Sequence, residues 1–264
     1  MRSTTLVCTL FGLVSQSSGF VVVPNNGVDR CHFSRCRMTE FSLEEQEQQQ
    51  AREREHWSRG VRFLGKGANS VVRPGVVLLP PREEFNHYLR RAALFVYGMG
   101  LDEQDEDVIR AVVLDNPTPF TMGEMSPGGV VGALAHNLLW RGGNRGPDAA
   151  MLLHSCETRD ETSCARSIGA SGIFEGGLQE AMDRCNEGLS ENGDYKFFFN
   201  YCEFSPTELE GMLKEVGEDG DAWMSVEVPP QIVLSDLWNK GECWSFLRNT
   251  VKQRFAEEEE THKP

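Results

Sequence analysis

The chain is poor in several features that would fix a function at sight. It has no CxxC pair, no His/Cys spacing for a tetrahedral zinc site, no phosphate loop ending in Lys-Ser/Thr and no internal repeat. These absences exclude a zinc ribbon, a thioredoxin-type redox site, a P-loop nucleotidase and a solenoid. The mature body has no stretch long enough for a transmembrane helix. Positive charge is also scarce. Residues 1–39 carry four arginines against one acid, so the remainder holds −17 of a net charge of −14. That body contains no basic run. An acidic surface without a local basic patch repels phosphate backbones, so nucleic acid is not an expected partner.

The start of the chain has a different character from the rest. Met1-Arg2 is followed by a nine-residue apolar stretch, Leu6 to Val14, then by Ser15 to Gly19 and Phe20. A charged start, a short apolar stretch and small residues before a cut make a signal peptide, too short to span a bilayer. The competing reading is a buried N-terminal strand. Phe20 to Met38 then carries Arg30, Arg35 and Arg37 with one acid. This arrangement resembles the bipartite plastid presequence of algae with secondary plastids, in which an aromatic residue follows the cut and a basic segment comes next. Here Gly19 stands where Ala is usual. The expected organisation is a signal peptide over 1–19, a transit-like segment over 20–39, a polar Glu/Gln-rich spacer over 40–59, one α+β domain over 60–255 and a charged tail over 256–264. The expected location is the plastid stroma, with the secretory pathway as the alternative.

Processing would leave Cys156, Cys164, Cys185, Cys202 and Cys243. Five cannot all pair internally, and unpaired buried thiols suit a reducing compartment. The spacer has helix formers without an apolar face, so it is either a solvated helix or disordered; Trp57 and Gly60 to Gly67 begin its docking onto the body.

From Gly75 onward, short apolar runs alternate with turns. Strands are expected at 76–79, 92–97, 110–114, 150–153, 196–201 and 223–228, with Pro80-Pro81 and Pro117/Pro119 as stops. The clearest helix runs over 206–216: Ser205 caps it, Pro206 occupies its first position, Glu208 closes a capping box, and Leu209, Met212, Leu213 and Val216 form one face before Gly217. Further helices fit 178–187 and 242–255. The strands do not alternate regularly with long helices, so the expected fold is a single α+β domain built on a large mixed, mainly antiparallel sheet flanked by a few helices.

Five segments in one order resemble the AlgH-like family: Pro74 to Leu79; Arg90 to Val96; Val113 to Thr118, similar to the family's LVLNRPT turn; Trp140 to Gly143 with Leu153-His154-Ser155, similar to FxGGPV…LHS; and Phe197 to Glu210, then Trp223. The chain departs from that pattern. It has no Arg in the Asn-Pro turn, Asn144-Arg145 replaces Pro-Val, Asn200 replaces Gly, and Cys202, Glu203 and Phe204 replace Ala, Gly and Trp. The resemblance implies a compact α+β fold and a regulatory label attached to some bacterial members, without an established catalysis.

Two sets of residues are candidates for chemistry. His154 and Cys156 can share one face of a strand end, as a base and a thiol for a hydrolytic or redox enzyme. The alternative is a hydrogen-bonded His beside an ordinary Cys. Gly142, Gly143 and Arg145 form a glycine-rich loop that can offer N–H groups and a cation to an anion, against the alternative of a plain turn. With Asn116, Tyr201 and His154 they make up the expected ligand-binding set. Glu203 is the one carboxylate of its segment without a structural assignment. No metal site and no cofactor is expected. The favoured function is a non-catalytic regulatory or interaction domain acting through a protein or a small ligand, and the alternative is an enzyme using the His154/Cys156 pair.

Overall fold

The computed structural model describes residues 43–126, 128–156 and 164–261, and the expectations for residues 1–42 lie outside them. Six α-helices occur among the described residues: α1 (Leu43–Gly60), α2 (Met122–Met125), α3 (Leu178–Asn186), α4 (Pro206–Lys214), α5 (Pro230–Leu234) and α6 (Glu242–Thr261). The strands are β1 (Arg62–Lys66), β2 (Val77–Leu79), β3 (Leu94–Leu101), β4 (Asp107–Val113), β5 (Pro117–Thr121), β6 (Leu138–Arg141), β7 (Arg145–His154), β8 (Arg166–Ser167), β9 (Phe174–Glu175), β10 (Tyr195–Phe204) and β11 (Met224–Glu227). They form one 11-stranded sheet in the order β1-β11-β2-β3-β4-β10-β7-β9-β8, with β6 and β5 leading off β10. Every pairing is antiparallel except β10 with β6. The α+β fold with a mixed, mainly antiparallel sheet is the one expected.

The central strands are apolar on both faces, which is why the sequence shows continuous runs there instead of alternation. Val77, Phe95, Val112, Trp140, Leu153 and Phe198 point to a core closed by α5 and α6 through Ile232, Trp238, Trp244 and Leu247. Their chain neighbours point the other way. Leu78, Leu94, Ala111 and Val113 pack under Leu209 and Leu213 of α4, while Leu139, Leu152 and Phe197 pack under Ala181 and Met182 of α3. A two-sided sheet therefore carries α6 along one face and α4 and α3 on the other.

From Leu43 the spacer is helical. Its end docks on the body as expected: Trp57 meets Trp238 edge-on at 5.9 Å, and Arg54 lies 5.1 Å over the Trp238 ring. The α4 helix starts at Pro206 as expected, with the Ser205 hydroxyl accepting the Glu208 N–H at 3.1 Å, but the Glu208 carboxylate does not reach back to the Ser205 N–H, so the expected capping box is only half formed. It ends earlier, at Lys214 with Glu215 as its last cap, so Val216, expected on the apolar face, lies outside the helix and is exposed. Two short helices, α2 and α5, and five strands, β1, β5, β6, β8 and β9, were not expected. At the other end α6 runs to Thr261, beyond the expected start of the charged tail.

Candidate cationic cleft

The turn that follows β4 positions the site. Pro117 bars continuation of the ladder, so Leu114-Asp115-Asn116 leaves the sheet there. Asp115 turns inward and is buried. One of its carboxylate oxygens accepts the Ala93 N–H at 3.2 Å and the other accepts the Trp244 N–H at 3.1 Å in the first turn of α6. One acid thereby ties β3, the β4–β5 turn and the positive end of the longest helix together. Asn116 instead faces outward to β6: its carbonyl accepts the Arg141 N–H at 2.9 Å and its side-chain amide donates to the Arg141 carbonyl at 3.4 Å.

Three segments converge there. The first is the loop before β3, held by Asn86, whose side chain accepts the Tyr88 N–H at 3.0 Å and whose carbonyl accepts from Leu89 and Arg90. The second is the end of β6, where the Arg141 guanidinium lies 5.3 Å over the Tyr88 ring and its Nε donates to the Gly143 carbonyl at 3.3 Å. The third is Lys240-Gly241, leading into α6. Between them lies a cavity of about 230 Å³ lined by Tyr88, Arg91, Asp115, Asn116, Arg141 and Lys240 among others. A second cavity of about 500 Å³ adjoins it and shares His87, Arg90, Arg91 and Lys240.

The charges of this cleft are unbalanced. Arg90 meets Glu83 at 3.4 Å, an exposed pair worth little in water. Arg91, Arg141 and Lys240 form no ion pair among the described residues. The acid in the wall, Asp115, is answered from behind. Lys196 is buried on the core side of the sheet, donating to the Leu114 carbonyl at 3.0 Å and the Ser235 carbonyl at 2.7 Å. Burial pushes the Asp115 carboxyl up to about 6, against the pull of the Trp244 and Ala93 N–H groups and of Lys196. Burial likewise brings Lys196 down to about 7.

A basic patch therefore exists although the sequence has no basic run, because the fold collects Arg91, Arg141 and Lys240 from separate segments. The cleft lining contains no Ser, Thr or Cys. Such a wall can bind an anion through charge-assisted hydrogen bonds.

Of the residues singled out from the sequence, Asn116 lines the cleft. Gly142 and Gly143 lie where β6, β4 and β10 cross: the Gly142 carbonyl accepts from Val113, its N–H donates to Phe199, and a Cβ on Gly143 would stand 2.1 Å from the Tyr201 backbone carbon. Their backbone closeness is a packing requirement. Arg145 is exposed at the start of β7, opposite Tyr201. Tyr201 packs edge-on against Tyr97 at 6.3 Å and below Arg110, which pairs with Glu203 at 2.8 Å; Glu203 thus has a structural partner. Asn200, in place of the family's Gly, holds a left-handed φ of 59°, a conformation Asn tolerates better than most residues.

His154 is buried at the end of β7, stacked on Phe174 at 5.7 Å. Neither of its ring nitrogens meets hydrogen-bond geometry among the described residues; burial lowers its pKa, and the nearby Cys156 and Gly176 backbones oppose that shift. Arg184 of α3 is close enough to Cys156 for its charge to be affected by it, while Arg141 belongs to the cleft. Cys202 and Cys243 are buried thiols, Cys202 pushed up to about 12, and all five cysteines of the body are free. The sequence reading missed Tyr88, Arg91, Arg141 and Lys240 as site residues; the one available signal was Arg90-Arg91 directly before a strand.

The family model described as AlgH-like matches residues 100–253. Among solved structures, the chain is similar to the AlgH protein of Pseudomonas aeruginosa, at 15% identity over 65% of this chain and 85% of that one, with a TM-score of 0.45. It is also similar to a Corynebacterium diphtheriae protein, at 14% identity over 66% of this chain and 85% of that one, with a TM-score of 0.47. No curated protein matches the chain.

Proposed function

The chain belongs to the AlgH-like family, and from that premise we propose that it is a non-catalytic binding domain whose ligand is a small anion held in the cleft between Tyr88, Arg91, Asn116, Arg141 and Lys240. One observation carries the reading: in a protein of net charge −14, three cations from three segments border one cavity without an ion-pair partner. Leaving such charges unanswered costs stability through mutual repulsion, and an anion removes that cost. The cleft, at about 230 Å³, is smaller than the roughly 300–1,000 Å³ of sites for drug-sized ligands, a size that suits a small anion.

The test is thermal unfolding of the protein in phosphate, sulfate and chloride at matched ionic strength. Binding to the native state at a hundredfold excess over Kd adds about 2.7 kcal/mol, visible as a raised Tm. Phosphate should raise Tm above chloride, and Arg141→Gln should remove most of the difference. Equal Tm in all three salts would count against the reading.

We also infer a plastid stromal location, for which the arginine-bearing segment after Phe20 and the five free cysteines are the support.

A further inference from the structure

Arg91 borders a third cavity. It measures about 270 Å³ and lies among Arg82, Arg91, Trp244, Arg248 and Lys252. Its floor is rigid: Arg248 is buried, pairs with Asp221 and donates to the Pro80 and Ala222 carbonyls, while the Trp244 indole N–H donates to Pro80 at 2.9 Å. Asp221 is thus compensated by Arg248 and by the Arg82 backbone N–H at 2.8 Å. Arg82 and Lys252 are exposed and form no ion pair among the described residues.

Arg91 stands between the two ends with a left-handed φ of 55°, unusual for a side-chain-bearing residue and costing about 1–3 kcal/mol. Gly241, itself at a left-handed φ of 79°, packs beside it: a Cβ there would make ordinary contacts of 3.5 Å with the Cβ and the carbonyl oxygen of Arg91. Strain of this kind persists where the surroundings fix a geometry, and here it fixes the residue shared by all three cavities.

Five cations without ion pairs among the described residues thus border adjoining cavities that share Arg91, with Arg141 and Lys240 lining one and Arg82 and Lys252 another. A single phosphate monoester brings a charge of about −1.5 to −2 and leaves more than half of them unanswered. We infer that the ligand carries two phosphoryl groups, one beside Arg141 and Lys240 and the other between Arg82 and Lys252, with Arg91 contacting both. The ligand class is a bisphosphorylated or polyphosphorylated small molecule. This inference rests on the cleft being an anion site.

The experiment is isothermal titration of the full chain, at fixed ionic strength, with orthophosphate, tripolyphosphate and a hexose 1,6-bisphosphate. At least one of the two larger probes should bind roughly tenfold or more tightly than orthophosphate, the increment expected for a second set of charge-assisted bonds. In the double variant Arg82→Gln/Lys252→Gln that preference should fall to about threefold or less, and a cooperative melt close to that of wild type shows that the variant is folded. Arg141→Gln should weaken all three probes. If orthophosphate binds and neither larger probe binds more tightly, or if the double variant keeps the preference, the two-phosphoryl assignment is overturned while the cleft stands. If none of the probes binds, the cleft assignment itself fails.

Discussion

The ammonium of Lys196 lies 3.7 Å above the centroid of the Trp140 ring, inside the core that α5 and α6 close over the sheet. Three things hold a charge that burial opposes: the ring face, the Leu114 and Ser235 carbonyls, and the Asp115 carboxylate beyond the turn. The same Asp115 caps α6 and forms part of the cleft wall. The cationic surface and the buried ion therefore share one acid.

Lys196→Met should destabilise the fold by about 3–5 kcal/mol near neutral pH, because it strands a buried carboxylate and two carbonyls. The sign of the pH dependence follows from the direction of each shift. Lys196 falls from 10.5 to about 7 on folding, so the unfolded chain binds more protons between those values and the Lys196 contribution grows as pH rises through that window. Asp115 rises from 3.8 to about 6, so its contribution is present below about pH 4 and is lost by about pH 6. Urea unfolding at pH 7 and pH 9.5 should show the stability gap between wild type and variant widening at the higher pH; a gap that stays constant would show that Lys196 is charged throughout.

Gly143→Ala should melt well below wild type, because the new methyl carbon meets backbone atoms of Tyr201 and Cys202 at 2.1–2.4 Å and a packed core gives way only at a cost of roughly 1–3 kcal/mol or more. Gly98→Ala should be nearly neutral, since nothing lies within 4 Å of its added carbon and its φ is not positive. Equal melting of the two variants would mean that the β6–β10 crossing is looser than described.

Ser205→Ala should cost about 1 kcal/mol by removing the cap on α4. Leu209→Ala, at a position 1% exposed under the sheet, should cost about 2–5 kcal/mol. Thermal melts of the two variants check both figures, and a smaller loss for Leu209→Ala than for Ser205→Ala would be inconsistent with the packing of α4.

A fusion of residues 1–45 to a fluorescent protein should enter a plastid in an alga with secondary plastids, and Phe20→Ala should divert it outside. Secretion or cytosolic retention of the unaltered fusion would remove the stromal assignment.

How much the sequence revealed differs between fold and site for a physical reason. The strands around Leu78, Phe95, Val112 and Phe198 were legible because burial on both faces writes a continuous apolar run into the chain. The start of α4 was legible because capping is local chemistry. The strands β8 and β9 have two residues each and α2 four, too short to show a period, and four of the five residues of β5 are proline or threonine. The cleft was hidden for another reason. Arg91, Asn116, Arg141 and Lys240 are spread over 150 positions, each an unremarkable surface residue by itself, and only the pairing of β6 with β10 and the docking of α6 onto Asp115 bring them together. The glycine loop attracted notice because glycine pairs can cradle anions, yet here they serve the close approach of β6 to β10.

The most direct test of the account is an amide-resolved NMR titration of the isotope-labelled protein with pyrophosphate at constant ionic strength. The account predicts saturable shifts concentrated at Arg91, Asn116, Arg141, Lys240 and Gly241, lost in Arg141→Gln; saturable shifts centred instead on Gly142 to Arg145 or on His154 and Cys156, or no saturable shift at all, would contradict it.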